Sequence, residues 1–360
     1  VLAIRVRLEP RLSEPSAAEW FSRTAVGLIL ALLLAALVIA LAGYDAPSAL
    51  AALYRGAFGS LRALAATINK AVPIGLCALG IALAYRARLW NIGAEGQLYF
   101  GAFAATGVGL AIPETTAPAL AVAAVLVAGM VAGAAWAALA ALPRAYLGMN
   151  EILSTLMLTY VAILWVDYLV VGPWADPLTF SFPYSEPIPQ AARLGQLAGG
   201  IHGGLILLLA AAVLLLAIDR GLRWGYELRV MGDAPRAAVY GGISPVRTIL
   251  TGLVVAGALA GLAGAIEVSA STGRLQSGLS PGYGFMAILV AWLAAGNPIG
   301  IVLAAILYAG LQNGGFALQV VGVPPAITVV LQAVLLLAAL AVVGLGRYRV
   351  KFYRQGAIAT

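Results

Sequence analysis

LQSGLSPGYGFMAILVAWLAAGNPIGIVLAAILYAGLQNGGFALQVVGVPPAITVVLQAVLLLAALAVVGLG, residues 275–346, carries no charged side chain and is bounded by Arg274 and Arg347. A helix crossing the hydrocarbon of a bilayer needs about 20 mostly apolar residues, so this stretch is long enough for three spans joined by tight turns. Outward from it, 24–44, 115–143, 194–218 and 248–266 also lack Asp, Glu, Lys and Arg. The 360 residues are 62% hydrophobic and only 10% charged, with mean hydropathy +0.99. A soluble domain carries about 25% charged residues, and this chain could not cover its own surface in water. The expected fold class is an all-α polytopic membrane protein.

The apolar runs predict about ten transmembrane helices, at 24–44, 71–85, 96–113, 118–142, 152–172, 203–218, 248–267, 284–296, 299–316 and 325–344. The second and eighth are short and glycine-rich or followed by Asn-Gly or Asn-Pro, as in broken spans that line cavities. With the N-terminus in the cytoplasm, only Arg55, Arg62, Lys70, Arg193 and Arg274 of the 21 Lys and Arg fall outside. That skew follows the positive-inside rule and predicts two cytoplasmic termini. The formal charge of +7 is thereby explained by basic residues at span ends, without a nucleic-acid surface. The expected organisation is a cytoplasmic segment 1–23, a transmembrane domain 24–345 and a basic cytoplasmic tail 346–360. The first apolar run follows basic residues and has no clear cleavage site, so it reads as a retained anchor.

Several chemistries lack their residues. Cys77 and His202 are the single cysteine and histidine, which leaves no disulfide framework, cysteine cluster or multi-histidine zinc site. There is no phosphate-binding G-x-x-x-x-G-K-[ST] loop, no H-E-x-x-H and no G-x-S-x-G. The expectation is no catalytic residue, no metal and no cofactor on this chain. A membrane enzyme is disfavoured on that ground.

Three polar clusters remain at membrane depth. In Trp90-Asn91-Ile92-Gly93-Ala94-Glu95-Gly96-Gln97, Asn91 and Glu95 would share a face if helical, and the glycines allow close backbone approach. Asn150 and Glu151 open the fifth predicted span. Gln312 and Asn313 precede Gly314-Gly315 inside the long uncharged stretch. Asn91, Glu95, Gln97, Asn150, Glu151, Gln312 and Asn313 are candidates for a substrate pathway; the alternative for each is a cap or a helix–helix contact. Asp167 and Glu267 read as interfacial. The segment 173–202, rich in Pro, Asp, Ser and aromatics, is expected to form an extracytoplasmic cap. The segment 219–247 is the most basic internal loop, and within it Pro235–Tyr240 is expected to be a short helix capped by Asp233 and ended by Gly241 and Gly242.

NIGAEGQ at 91–97, NEILSTLML at 150–158, LRVMGDAPRAAVYGGI at 228–243 and GYGFMAILVAWLAAGNPIG at 282–300 together resemble permease subunits of ABC importers. The group includes branched-chain amino acid, ribose and nucleoside or simple-sugar permeases. The resemblance covers about 70–345 and leans to the nucleoside/simple-sugar branch. Thr159 stands where that branch often has Asn, Asp233 replaces a common Asn, and Ala294-Ala295 replaces Leu-Gly.

The resemblance implies an ABC importer permease fold in a bacterial or archaeal plasma membrane, carrying a nucleoside or simple sugar. It implies two cytoplasmic ATPase subunits that use ATP and Mg, a second permease subunit and an external or lipid-anchored binding protein. It assigns ATPase coupling to Arg229, Gly232, Asp233, Ala234, Arg236, Ala237, Ala238 and Gly241. The rival readings are a branched-chain amino acid permease and an ion-coupled secondary transporter, which would show ionisable groups at midplane depth in several spans.

Overall fold

The computed structural model describes residues 4–10, 29, 33–179, 182–345 and 348–354. Chain contacts divide it into two compact units, Val1–Gly56 with Gly314–Thr360, and Ala57–Asn313.

The first unit contains β1 (Ile4–Pro10), α1 (33–41), most of α2 (Ala46–Phe58), the end of α12 (Pro298–Val320), α13 (Pro325–Leu345) and β2 (Tyr348–Arg354). β1 and β2 pair antiparallel from Ile4↔Arg354 to Pro10↔Tyr348, a two-stranded sheet that the all-α expectation lacked. Ala35, Ile39, Ala49, Ala52, Leu318, Val323 and Leu331 form this unit's buried core.

The second unit holds α3 (Leu61–Arg86), α4 (Ala94–Ala111), α5 (Pro118–Leu147), α6 (Glu151–Val171), α7 (Gly204–Gly221), α8 (Arg223–Asp233), α9 (Pro235–Tyr240), α10 (Pro245–Ile266), α11 (Tyr283–Leu293) and most of α12 (Pro298–Val320). A π-helical turn, Glu267–Thr272, extends α10. Its centre is a crossing of α4, α5 and α10 made by glycines. A Cβ on Gly133 would stand 2.6 Å from the Gly261 Cα, and one on Gly129 would stand 2.5 Å from the Ala265 Cβ. Without a hydrophobic drive between helices in lipid, such small-residue contacts supply the packing.

Among the described residues, six helices are long and apolar enough to cross a membrane: Leu61–Arg86, Pro118–Leu147, Glu151–Val171, Gly204–Gly221, Pro245–Thr272 and Pro298–Val320. The expectation of about ten spans is therefore wrong, for identifiable reasons. The predicted span 71–85 does correspond to one of the six, within a 26-residue helix begun by Ser60, whose side chain accepts from the Ala63 N–H at 3.1 Å. The predicted span 96–113 is α4, whose apolarity is diluted by Glu95, Gln97 and its glycines. The predicted span 284–296 is α11, only 11 residues long. At 1.5 Å per residue it covers roughly half the ~30 Å hydrocarbon. Of the predicted span 24–44, most of the first half lies outside the described residues, as do 1–3, 11–28 and the end of the tail, 355–360.

Between α6 and α7, the segment expected as a cap contains three 3-10 turns, at Pro177–Thr179, Gln190–Ala192 and Ala198–Gly200. It is tied to 273–277 by backbone bonds from Ser185 to Leu275 (2.9 Å) and from Ile188 to Gly273 (2.9 Å).

Candidate functional site around a short helix and a helical hairpin

The short helix α11 organises the candidate pathway residues. Gly282, at φ 96°, starts it in a conformation that glycine favours. The Gly284 N–H donates to Glu95 Oε2 at 2.6 Å. A Cβ on Gly284 would stand 2.6 Å from the Glu95 Cα, so the two backbones meet directly. Two residues on, Met286 Sδ accepts from Gln312 Nε2 at 2.8 Å. Before the helix, the Tyr99 hydroxyl donates to the Ser280 carbonyl and accepts from the Ser280 N–H, both at 3.3 Å. Ser280 Oγ in turn accepts from Tyr283 N–H at 2.9 Å. Glu95 is thus a carboxylate on the N-terminal N–H groups of α11, where the helix dipole favours negative charge. It is 1% exposed.

Asn91 and Gln97 lock to each other. Asn91 Nδ2 donates to Gln97 Oε1 at 2.9 Å, and Gln97 Nε2 donates to Asn91 Oδ1 at 3.0 Å. Asn91 lies in the turn before α4, whose helix begins at Ala94, so the helical four-residue relation with Glu95 does not apply. Gly93 and Gly96 instead let α4 approach α6. A Cβ on Gly93 would meet Thr155 Cβ at 2.8 Å, and one on Gly96 would meet Thr159 Cα at 2.6 Å. Thr159 is fully buried there and its hydroxyl donates to the Thr155 carbonyl at 3.0 Å.

The other candidates are engaged more locally. Asn150 is exposed and caps α6, accepting from Ile152 N–H at 2.9 Å. Glu151 pairs with Arg144 at 3.1 Å and accepts from the Trp90 N–H at 3.4 Å, which fastens the start of the Asn91 turn to α6. Asn313 donates to Thr67 Oγ1 at 3.2 Å, and Thr67 donates to the Ala57 carbonyl at 2.8 Å. Asn91, Glu95, Gln97 and Gln312 therefore gather around α11 and the turn leading into α4, whereas Asn150 and Asn313 do not. At the other end of α11, Trp292 lies with Tyr85 and Trp90 at centroid distances of 5.0 and 5.6 Å, beside Asn91 and a small cavity.

The sequence reading missed Tyr99, Ser280, this aromatic cluster and the glycine crossing. The last was legible in principle, because Gly129/Gly133 and Gly257/Gly261 both have G-x-x-x-G spacing. His202 is 2% exposed, and its Nδ1 accepts from the Gly204 N–H at 3.2 Å. Burial lowers its pKa, so it is neutral at pH 7.

α8 and α9 form a helical hairpin. α9 spans Pro235–Tyr240, with Pro235 in its first turn, but its cap residue is Ala234 and no side chain caps it. Asp233 ends α8 instead, and its carboxylate accepts from Arg88 at 3.3 Å. Gly232 lies against the Arg86 carbonyl and Gly225 against the Ile218 carbonyl, where any side chain would collide with backbone. The glycines therefore seat α8 on the ends of α3 and α7. In α9, Ala238 is buried, while Arg236 and Ala237 are exposed and Tyr240 is 98% exposed; the flanking Ala234 and Gly241 are exposed too.

Residues 63–340 match the family described as branched-chain amino acid transport system / permease component. The chain belongs to this permease family. A glucose ABC transporter permease protein of Haloferax volcanii is 33% identical to the permease, covering 98% of this chain and 96% of its own length. A guanosine ABC transporter permease protein of Bacillus subtilis is 32% identical over 87% of this chain and 90% of its own. A nucleoside ABC transporter permease protein of Lactococcus lactis is 29% identical over 86% and 88%. No solved structure matches the permease. The permease is a non-catalytic membrane component of an ABC transporter.

Proposed function

We propose that this permease forms the translocation path of an ATP-driven importer for a nucleoside or simple sugar. The observation that carries the reading is α11, a helix too short to span, whose first turn is held by Glu95 and Gln312. Interrupted helices with polar groups at their ends are how transporters build solute contacts inside a bilayer. The guanosine, nucleoside and glucose relatives support a hydroxyl-rich solute. A branched-chain amino acid is the second reading, favoured by the family's description.

In this reading Asn91, Glu95, Gln97, Glu151, Gln312 and Asn313 line or shape the path, with Asn150 setting the start of α6. The permease pairs with a second permease subunit, receives solute from an external binding protein, and docks ATPases that use ATP and Mg. α9 is the docking element: a compact helix with one buried alanine and an exposed face of Arg236, Ala237, Val239 and Tyr240. Residues 173–202 face outward and 219–247 inward.

The test is uptake of labelled guanosine, glucose and leucine by proteoliposomes holding the assembled transporter. Guanosine or glucose is expected to accumulate and leucine not; leucine uptake alone would support the second reading. Glu95→Gln removes the charge that binds the first turn of α11. It is expected to lower uptake about tenfold, the loss of one charge-assisted hydrogen bond, at unchanged membrane yield. Normal uptake by Glu95→Gln would remove the carboxylate from the path.

A further inference from the structure

Asp219, near the end of α7, stands between two arginines on different elements. It forms an ion pair with Arg86 Nη2, at the end of α3, and its Oδ1 lies 3.8 Å from Arg229 Nη1 of α8. The same Arg229 nitrogen donates to the Asp219 backbone carbonyl at 2.7 Å. Arg86 Nη2 also donates to the Gly296 carbonyl at 3.1 Å. Gly296, at φ 75°, and Ala295, at φ 49°, form the left-handed turn that follows α11. One carboxylate and two guanidinium groups thus join α3, α7, the hairpin and the foot of α11. The Asp219 side chain is 11% exposed and that of Arg86 19%, against 39% for Arg229.

We propose that Arg86, Asp219 and Arg229 carry displacement of the α8–α9 hairpin to α11. The proposal rests on the reading of α9 as the ATPase docking element. Opposite charges shielded from water are costly to separate, so the segments they join tend to move together. The hairpin has a firm base, because Gly225 and Gly232 bring α8 against backbone with no space for side chains. Among the described residues Asp219 Oδ1 accepts no hydrogen bond, and Arg229 is bonded to the backbone carbonyl beside it. A small tilt of α8 can therefore transfer Arg229 onto the carboxylate and shift Arg86, which holds Gly296. The three side chains are positioning residues: none is placed on the solute.

The experiment uses the assembled transporter in a Cys77→Ala background, with Ala295→Cys as an exposed reporter beside α11. Its reaction rate with a thiol reagent is measured with and without a non-hydrolysable ATP analogue. The analogue is expected to change the rate by about threefold or more, a modest population shift. Asp219→Asn and Arg229→Gln should abolish that change while the ATPase still co-purifies, and Arg229→Lys should restore it. A merely structural cluster would lower yield or thermal stability and leave the nucleotide response intact. If Asp219→Asn does not assemble, Arg229→Gln decides, since that side chain is the most exposed of the three. A full response in Arg229→Gln, or no response in the parent, overturns the proposal. Failure of the docking reading is seen separately: Tyr240→Cys would react equally fast with and without the ATPase.

Discussion

Gly261→Leu is expected to abolish folded permease. The Gly261 Cα lies at the meeting of three helices, against Gly101 of α4 and Gly129 and Gly133 of α5. A Cβ at this position would collide with the Gly129 carbonyl, which belongs to backbone and cannot rotate away. Overpacking a dense interior costs about 1–3 kcal/mol even where side chains can shift. Here α5 and α10 would have to separate, and the contacts of Gly133 and Gly257 would go with them. Gly261→Ala should already lower the thermal midpoint of the detergent-solubilised protein, and Gly261→Leu should leave no monodisperse species on size exclusion. Val131→Leu is the control, because Val131 lies on α5 but is 62% exposed, and it should behave as the parent does. A monodisperse Gly261→Leu protein of parental stability would refute the three-helix crossing.

Ala237→Trp is expected to detach the ATPase while leaving the permease folded. Ala237 is exposed on α9, so the larger side chain meets solvent in the isolated chain, and its effect on stability should stay within about 0.5 kcal/mol. On the proposed docking of α9, the same volume must enter a closely packed interface. Arg236→Glu tests charge at the same surface, where a guanidinium can bond acidic groups on the partner. The check is co-purification of the ATPase with each variant, together with solute-stimulated ATP hydrolysis. Retention should fall at least about tenfold, equivalent to ~1.4 kcal/mol, for Ala237→Trp. Parental retention and stimulation in both variants would show that α9 is not where the ATPase docks.

The membrane class was legible because charge is nearly absent from long runs, and no soluble fold tolerates that. The helix at 235–240 was legible because Pro235 and Gly241-Gly242 bracket it. The number of spans was not. Reading charge-free runs admitted α4, although Glu95, Gln97 and its glycines dilute its apolarity. It also broke α3 at Lys70, although the helix runs through that residue and through Pro73. The polar motifs were found, but their partners were not. Asn91 bonds Gln97, six residues away, whereas Glu95 bonds Gly284, which only the folded chain brings near. Asp219 read as one end of a basic loop, and its position between Arg86 and Arg229 depends on how α3, α7 and α8 meet. The Asp233 cap failed because Asp233 completes α8 and turns to Arg88 instead.

The central claim, that this permease carries solute at the expense of ATP hydrolysed by a docked partner, is tested most directly by the energy source of uptake. Proteoliposomes holding the permease, its partner subunit and its ATPase are supplied with the binding protein outside and labelled guanosine or glucose. The account predicts accumulation only with ATP and Mg enclosed, at a rate unaffected by a protonophore. Accumulation driven by a proton or sodium gradient without ATP would contradict it.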